Sequence, residues 1–432
     1  MKSSLPKVLH PIAGRPMLAH VLAVARALNA ARTVVVTAPD AAPVAALAKE
    51  WGAETAVQDR QLGTGHAVLA ARPALADFDG NLLVLFGDAP LLTVATLSRL
   101  TARLNEDADI AALGFTATDA TGYGRMVTEG DALIRIVEQK DASPEERRIT
   151  LAFAGMLAGR AATVFELLDD VGNQNAQGEF YLTDLIAIAR GRGLKCAAVK
   201  GVEREMLGVN SRVQLAEAEA AFQARRRREL MEQGVSFLAP ETVFLSADTV
   251  IEPDASIGPY VVFGPGVTVH AGAQVRAFCH IEHAEIGMNA IVGPFARLRG
   301  GARLDDGVDI GNFVELKNAH LESGVKAHHL TYIGDAHVGA RANIGAGTIT
   351  CNYDGAQKHR TEIGAGAFIG SNAALVAPVK IGQEAIVAAG SVITEDVQPN
   401  ALAIGRARQV TKPGRAETIR ARIRSRKNKG NQ

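Results

Sequence analysis

Residues 18–28, LAHVLAVARAL, set apolar side chains at helical spacing, and the β-branched run Val34 to Thr37 follows before Pro39. A second helical pattern covers Ala41 to Trp51, and Leu82 to Phe86 is a nearly continuous apolar run. Such a run reads as a strand buried on both faces of a parallel sheet. The alternation predicts a doubly wound α/β domain over residues 1–210. The segment SRVQLAEAEAAFQARRRRELMEQ has no Gly or Pro and meets Gly234, which predicts one connecting helix over 211–234. Its four arginines, Arg225 to Arg228, read as a solvated or interface-lining face.

After residue 250 the period changes. Apolar residues recur every six positions at Ile251, Ile257, Phe263, Val269, Val275 and Ile281. The phase slips by one and resumes at Ile286, Val292, Leu298, Leu304, Ile310 and Leu316. Further slips surround Leu321, Ala327, Ile333, Val338 and Ile344, and the register returns at Ile363, Ile369, Leu375, Ile381, Val387 and Ile393. Neither a helix nor a flat strand has this period. A chain that makes one short strand and one turn every six residues does, stacking its apolar residues inside a prism. Residues 235–404 are therefore expected to form a parallel β-helix, with small residues such as Gly258 and Gly345 at its corners.

Composition sharpens this outline. The 432 residues are 47% hydrophobic and 21% charged, which excludes general disorder. No stretch approaches the roughly 20 apolar residues of a membrane span, so no membrane insertion is expected. Forty-six basic and 46 acidic residues cancel, so no whole-molecule field draws the chain to nucleic acid, and no nucleic-acid partner is expected. The charge is uneven, however. Residues 405–432 hold ten Lys or Arg and one acid, about +9, leaving about −9 elsewhere. This tail is expected to be disordered, with weak contact to anionic lipid or RNA as the alternative. Cys196, Cys279 and Cys351 have neither paired nor ligand spacing, which fits a reducing, cytoplasmic location.

A hexapeptide coil contributes structure, not chemistry, so its interruptions are informative. The break TCNYDGAQKHRTE, from Thr350 to Glu362, carries Asn352, Tyr353, Asp354, Lys358, His359 and Arg360. A polar loop ejected from a solenoid is a natural binding element.

Two sets of motifs then coincide. LPKVLH (from Leu5), QLGTGHA (from Gln61), LFGDAPLL (from Leu85), TGYGR (from Thr121), NAQGEFYLTD (from Asn175) and GVNSR (from Gly208) resemble a sugar nucleotidyltransferase. GPFARLR (from Gly293), GNFVELK (from Gly311), HLTYIGD (from His329) and NIGAGTITCNYDG (from Asn343) resemble a hexapeptide acetyltransferase. In this order, over nearly all of residues 1–406, the chain resembles the bacterial family of bifunctional N-acetylglucosamine-1-phosphate uridylyltransferases and glucosamine-1-phosphate acetyltransferases.

The resemblance implies a Rossmann-like nucleotidyltransferase domain, a left-handed β-helix and a homotrimer with sites between adjacent β-helices. It implies acetyl transfer from acetyl-CoA to glucosamine 1-phosphate, then uridylyl transfer from UTP, which feeds cell-wall and lipopolysaccharide synthesis. An amine attacks a thioester only when neutral, so a base titrating near neutrality is needed, and an imidazole qualifies. The resemblance makes His329 that base and sets Glu315 beside it to orient the ring. Arg299, Lys317, Tyr332 and Asn343 match the sugar-phosphate positions; Ala346, Asn352, Tyr353, Ser371, Ala389 and Arg406 match those for acetyl-CoA. In the uridylyl half Lys7 matches a phosphate contact, while Asp88 and Asn210 match the ligands of Mg²⁺. Gln58, Gly63 and Thr64 match uracil-side positions, and Gly124 and Glu138 match sugar contacts.

The chain departs from the family at its start, where a strand and a glycine-rich loop would precede the segment aligned with Met1. The expectation is a longer native protein or, if Met1 is the start, acetyl transfer with little or no uridylyl transfer. Phe153 replaces a sugar-contacting asparagine and Phe86 a common tyrosine. Two other readings are a non-catalytic hexapeptide scaffold and a zinc-dependent lyase. His280, His283, His328 and His329 lack an evident zinc-ligand spacing.

Overall fold

The computed structural model describes residues 1–429, with side chains described through Arg426. The chain divides into two compact units, one of Met1–Glu232 with Phe244–Asp248, the other of Gln233–Val243 with the chain from Thr249 onward.

The first unit is α/β. The helices Met17–Ala27 and Ala42–Glu50 and the strand Val34–Thr37 form where the apolar spacing predicts them. Val34–Thr37 pairs in parallel with Glu54–Val57 as a separate two-stranded sheet. The main sheet has six strands, in the order Asn81–Val84, Leu151–Arg160, Ile110–Thr116, Cys196–Lys200, Ala132–Val137 and Arg125–Glu129. Here one expectation is corrected. Asn81–Val84 is an end strand running antiparallel to Leu151–Arg160, and its apolar residues are half-buried. An apolar run reports burial on its faces; the direction of its partner is set by a distant segment that the local pattern does not contain. Only the pairing of Cys196–Lys200 with Ile110–Thr116 is parallel within this sheet.

The helix Arg212–Glu232 packs within this unit, burying Ala218 and Phe222 against Ile12, Met17, Leu91 and Val209. Its arginines are more engaged than a solvated face. Arg225 donates to the Leu91 carbonyl at 2.7 Å and lies over the Phe222 ring, while Arg228 pairs with Glu232.

The second unit is a left-handed parallel β-helix. Every hexad position from Ile251 to Ile393 named above is buried. Strands stack in parallel one coil apart, so Leu298, Leu316 and Ile333 form one interior column. At one corner Tyr260, Phe278, Phe295 and Phe313 adopt positive φ although they are bulky. Their exposed rings stack at 4.8–5.1 Å with interplanar angles of 5–18°, an attraction that offsets part of the cost of the left-handed backbone.

On a lateral face, side chains of opposite charge alternate. His270 bridges Glu252 at 3.0 Å and Glu285 at 3.1 Å, and His337 bridges Glu322 and Glu362. The basic segment corrects a second expectation: instead of a disordered tail, Arg415–Lys429 is an exposed α-helix. Its Ala, Arg and Lys are good helix formers, and Pro413 precedes rather than interrupts it. Residues 430–432 of that tail lie outside the described residues.

Hydrogen bonding to Glu285, and then to Glu252, raises the pKa of His270 against an opposing effect of burial. A raised folded value means that the stabilisation is complete below the unfolded value of about 6.5 and is lost as pH rises through the folded value. The melting temperature of the β-helix is thus expected to fall between about pH 6 and pH 9, and His270→Gln should flatten that slope. Calorimetry across this range measures both.

Candidate active sites in the two units

In the first unit the Lys7 ammonium donates to Asp88 Oδ2 at 2.6 Å and to Asn210 Oδ1 at 2.8 Å. Asp88 follows the strand Asn81–Val84, and its carbonyl accepts from the Val209 amide at 3.0 Å, which ties the two ligand-bearing loops together. Two hard oxygens, one carboxylate and one amide, thus converge on a cation. That donor set suits Mg²⁺, which keeps water and takes phosphate oxygens for its remaining positions. Among the described residues no group of three or more His, Cys, Asp or Glu is placed to hold a metal ion.

The loop QLGTGHA is braced by NAQGEFYLTD. Gly65 N–H donates to the Phe180 carbonyl at 2.8 Å, Phe180 N–H donates to that of Leu62 at 2.8 Å, and Thr64 Oγ1 accepts from Leu182 N–H at 3.0 Å. Gly63 has φ 115°, and a Cβ there would stand 2.6 Å from the Phe180 carbonyl oxygen, so both conformation and space require glycine. Gln58 donates to the Gly63 carbonyl at 3.1 Å and meets His66 Nδ1 at 3.0 Å. Glu138 accepts from Thr183 Oγ1 at 3.1 Å, and burial pushes its pKa up. Gly124 accepts from the Phe153 amide, while the Phe153 side chain is buried in the core. The Phe153 side chain therefore serves packing and offers no polar group at this position.

In the second unit His329 ends the strand Lys326–His329, and its Nδ1 meets Asn312 Oδ1 at 2.9 Å. Asn312 and His329 are register partners, 17 residues apart on adjacent coils. An amide oxygen only accepts, so Nδ1 donates in this contact, and the ring is oriented through that nitrogen. Leu330 N–H donates to the Asn312 carbonyl at 3.0 Å, which fixes the corner beside the ring.

Glu315 is not the residue on His329. It accepts from Arg299 Nε at 2.7 Å, because Arg297–Arg299 stacks on the coil containing Glu315 and a guanidinium reaches across one coil spacing. Lys317 donates to both oxygens of Asp335 at 2.9 Å, and Asn318 and Asn352 donate to the same carboxylate. Burial is the largest single influence on Lys317 and opposes its charge, but the hydrogen bonds to Asp335 and Lys358 and the Asp335 charge together outweigh it, and the pKa rises. Lys358 lies against Lys317, whose hydrogen bond and like charge push the Lys358 pKa down. Asn352 also approaches the Tyr332 hydroxyl at 3.5 Å. Beside this cluster a cavity of about 420 Å³ is lined by Asn318, Asp335, Lys358, His359 and Arg360, among others.

The acetyl-CoA positions form a second group along one corner. The Ala346 carbonyl accepts from Asn372 N–H and the Ser371 carbonyl from Gly390 N–H, both at 2.8 Å. A Cβ on Gly345 would stand 2.5 Å from Ser371 N, and one on Gly370 would clash with Ala389 N. Arg406 passes Gly390, its Cδ 3.7 Å from where a Cβ would lie. Gly347 N–H donates to the His329 carbonyl at 3.2 Å and joins this column to the ring's backbone. Asn352 stands with the cationic cluster instead, Tyr353 is exposed and donates to the Gly355 carbonyl, and Asn343 makes no side-chain bond into either group among those described.

Asn312, Asn318 and Asp335 were not singled out as site residues from sequence, whereas Lys358 was named only as part of the polar loop. The available signal was the coil length: Asn312 precedes His329 by 17 residues, and Asp335 follows Lys317 by 18. Removing the amide acceptor with Asn312→Ala is expected to release the tautomer, so ¹⁵N NMR of His329 should change from one protonated Nδ1 to a mixture. A spectrum like the parent's would assign the ring's orientation to another group.

The MobA-like NTP transferase domain model matches residues 1–174, and the bacterial transferase hexapeptide (six repeats) model matches residues 248–283 and 360–395. The chain is 54% identical over 423 residues to the "Bifunctional protein GlmU" of Azorhizobium caulinodans, covering 98% of this chain and 94% of that protein. It is 55% identical to the protein of that name from Xanthobacter autotrophicus, again covering 98% and 94%. The corresponding protein of Agrobacterium fabrum is 51% identical, with 99% and 95% covered.

Proposed function

The chain belongs to the family of bifunctional GlmU proteins, and from that premise we infer how its residues divide the two reactions. The protein is a transferase with two activities in UDP-N-acetylglucosamine synthesis. One transfers acetyl from acetyl-CoA to glucosamine 1-phosphate; the other transfers uridylyl from UTP to the acetylated sugar phosphate. The acetyltransferase-only and scaffold readings are not favoured, since relatives with a bifunctional name span both halves of the chain.

In the acetyl reaction His329 is the general base. The observation that carries this assignment is its bond to Asn312, which orients the ring through Nδ1 and leaves Nε2 to meet the amine. Nε2 accepts the amine proton as nitrogen attacks the thioester carbonyl; the N–C bond forms, the C–S bond breaks, and the coenzyme thiolate leaves and is protonated. Arg299, Lys317 and Lys358 supply positive charge for the sugar phosphate, and Tyr332 and Asn343 supply polar contacts. Glu315 acts through Arg299, holding the guanidinium in place. Ala346, Ser371, Ala389 and Arg406 line the coenzyme's path, with Asn352 and Tyr353 at its loop end. Small residues there let a ligand approach the backbone.

In the uridylyl reaction Asp88 and Asn210 would hold Mg²⁺, which supplies charge neutralisation at the phosphates when bound. Lys7 stands between these oxygens and is placed to contact a phosphate oxygen once another cation occupies them. Gln58, Gly63 and Thr64 form a braced edge for the uracil, and Gly124 and Glu138 contact the sugar. A homotrimer and a cytoplasmic location belong to the same proposal. The exposed aromatic stack supports assembly, and no helix among the described residues is long and apolar enough to cross a membrane.

Two substitutions test the division of labour. His329→Ala is expected to lower acetyl transfer about a hundredfold or more while uridylyl transfer is unchanged. Asp88→Asn is expected to lower uridylyl transfer about a hundredfold and weaken Mn²⁺ binding measured by electron paramagnetic resonance, with acetyl transfer intact. Coupled assays of both reactions on each variant decide the matter; loss of both activities from either change would refute independent sites.

A further inference from the structure

The helix Arg415–Lys429 carries seven Lys or Arg against one acid, Glu417. Its described side chains are exposed, and the side-chain hydrogen bonds given for it are local, from Thr418 to the Gly414 carbonyl and from Ser425 to the Arg422 carbonyl. At 3.6 residues per turn, Ala416, Ile419 and Ile423 fall within a sector of about 60°. Arg415 and Arg426 border that sector on one edge and Arg420 on the other. The two isoleucines are 49% and 58% exposed, an unusual position for β-branched apolar residues on an otherwise charged helix.

We propose that this helix docks on the surface of an anionic phospholipid bilayer. A narrow apolar stripe flanked by arginines fits the boundary between headgroups and acyl chains: the isoleucines enter it, and the arginine stems extend outward so that the guanidinium groups meet lipid phosphates. Charge complementarity selects acidic lipid, and because the remainder of the chain is acidic by about six charges, attraction is confined to the basic C-terminal segment. RNA fits less well. It would use the charge but not the isoleucines, and the helix has no aromatic ring on which a base could stack. The stripe is short, so binding is peripheral, reversible and sensitive to salt.

Flotation of the full chain with vesicles of phosphatidylglycerol in phosphatidylcholine, against phosphatidylcholine alone, tests this. Binding is expected to the anionic vesicles only and to disappear in about 0.5 M salt. The pair Arg420→Glu and Arg424→Glu, and separately the pair Ile419→Ser and Ile423→Ser, should each weaken it about tenfold or more, with acetyl transfer unchanged. Absence of binding to anionic vesicles overturns the proposal. So does full binding by the isoleucine variant, or binding of single-stranded RNA by a chain that ignores the vesicles.

Discussion

The β-helix, and the chemistry built on it, depend on coils that bring successive strands into parallel register, 17 or 18 residues apart around His329. Asn312 over His329, Glu315 over Tyr332 and Arg299 over Lys317 are all consequences of that one constraint. Every coil contributes buried apolar residues to a shared interior, so shifting one coil by a single residue would turn its apolar set outward. The interior therefore fixes the exterior. A polar side chain on one coil is delivered beneath a side chain on the next without any local motif specifying the pair.

This explains which features were legible in the sequence. The hexad residues announced themselves because burial selects type at fixed spacing, and all of those named are buried. The residue that orients His329 was not legible from the resemblance, which pointed to Glu315. The coil places Glu315 within reach of Arg299, and the ring is met by Asn312. An uncharged amide there orients the ring through Nδ1 without setting a carboxylate's charge against it. In the α/β unit, Leu82 to Phe86 was legible as apolar but not in its direction, because Leu151–Arg160 supplies the partner from about 70 residues away. The aromatic corner was missed because bulky residues are seldom expected at positive φ, and only stacking between coils accounts for them.

The uridylyl unit reaches its geometry by a different route. No repeat stacks its residues, so Lys7, Asp88 and Asn210 come together through backbone ties, Val209 N–H to the Asp88 carbonyl and the Met1 ammonium to the Asn210 carbonyl at 3.2 Å. Phe153 illustrates the consequence. Its side chain joins the core formed by Met126, Ile136 and Leu157 instead of facing polar groups, and Glu138, with its raised pKa, remains the polar contact on that side.

The solenoid also accommodates a functional insertion without breaking its ladder. The strand Tyr332–Val338 pairs at Tyr332 with Ile349, and at Ala336 to Val338 with Thr361 to Ile363. The chain between those partners leaves the coil and returns in register, so the interior columns continue, Val338 over Ile363 and Ile344 over Ile369. The loop is itself organised: Asp354 accepts from the Ala356 and Gln357 amides and from His359 Nε2, and Tyr353 bridges Lys358. Hydrogen bonding to Gln357, His359 and Ala356 holds the Asp354 carboxyl well below its usual range. A preorganised turn with Asn352 at its base and Lys358 on its returning arm can bring charge to Lys317 without ordering a flexible segment at the moment of binding. The ladder below and the turn above together place the positive charge of this site.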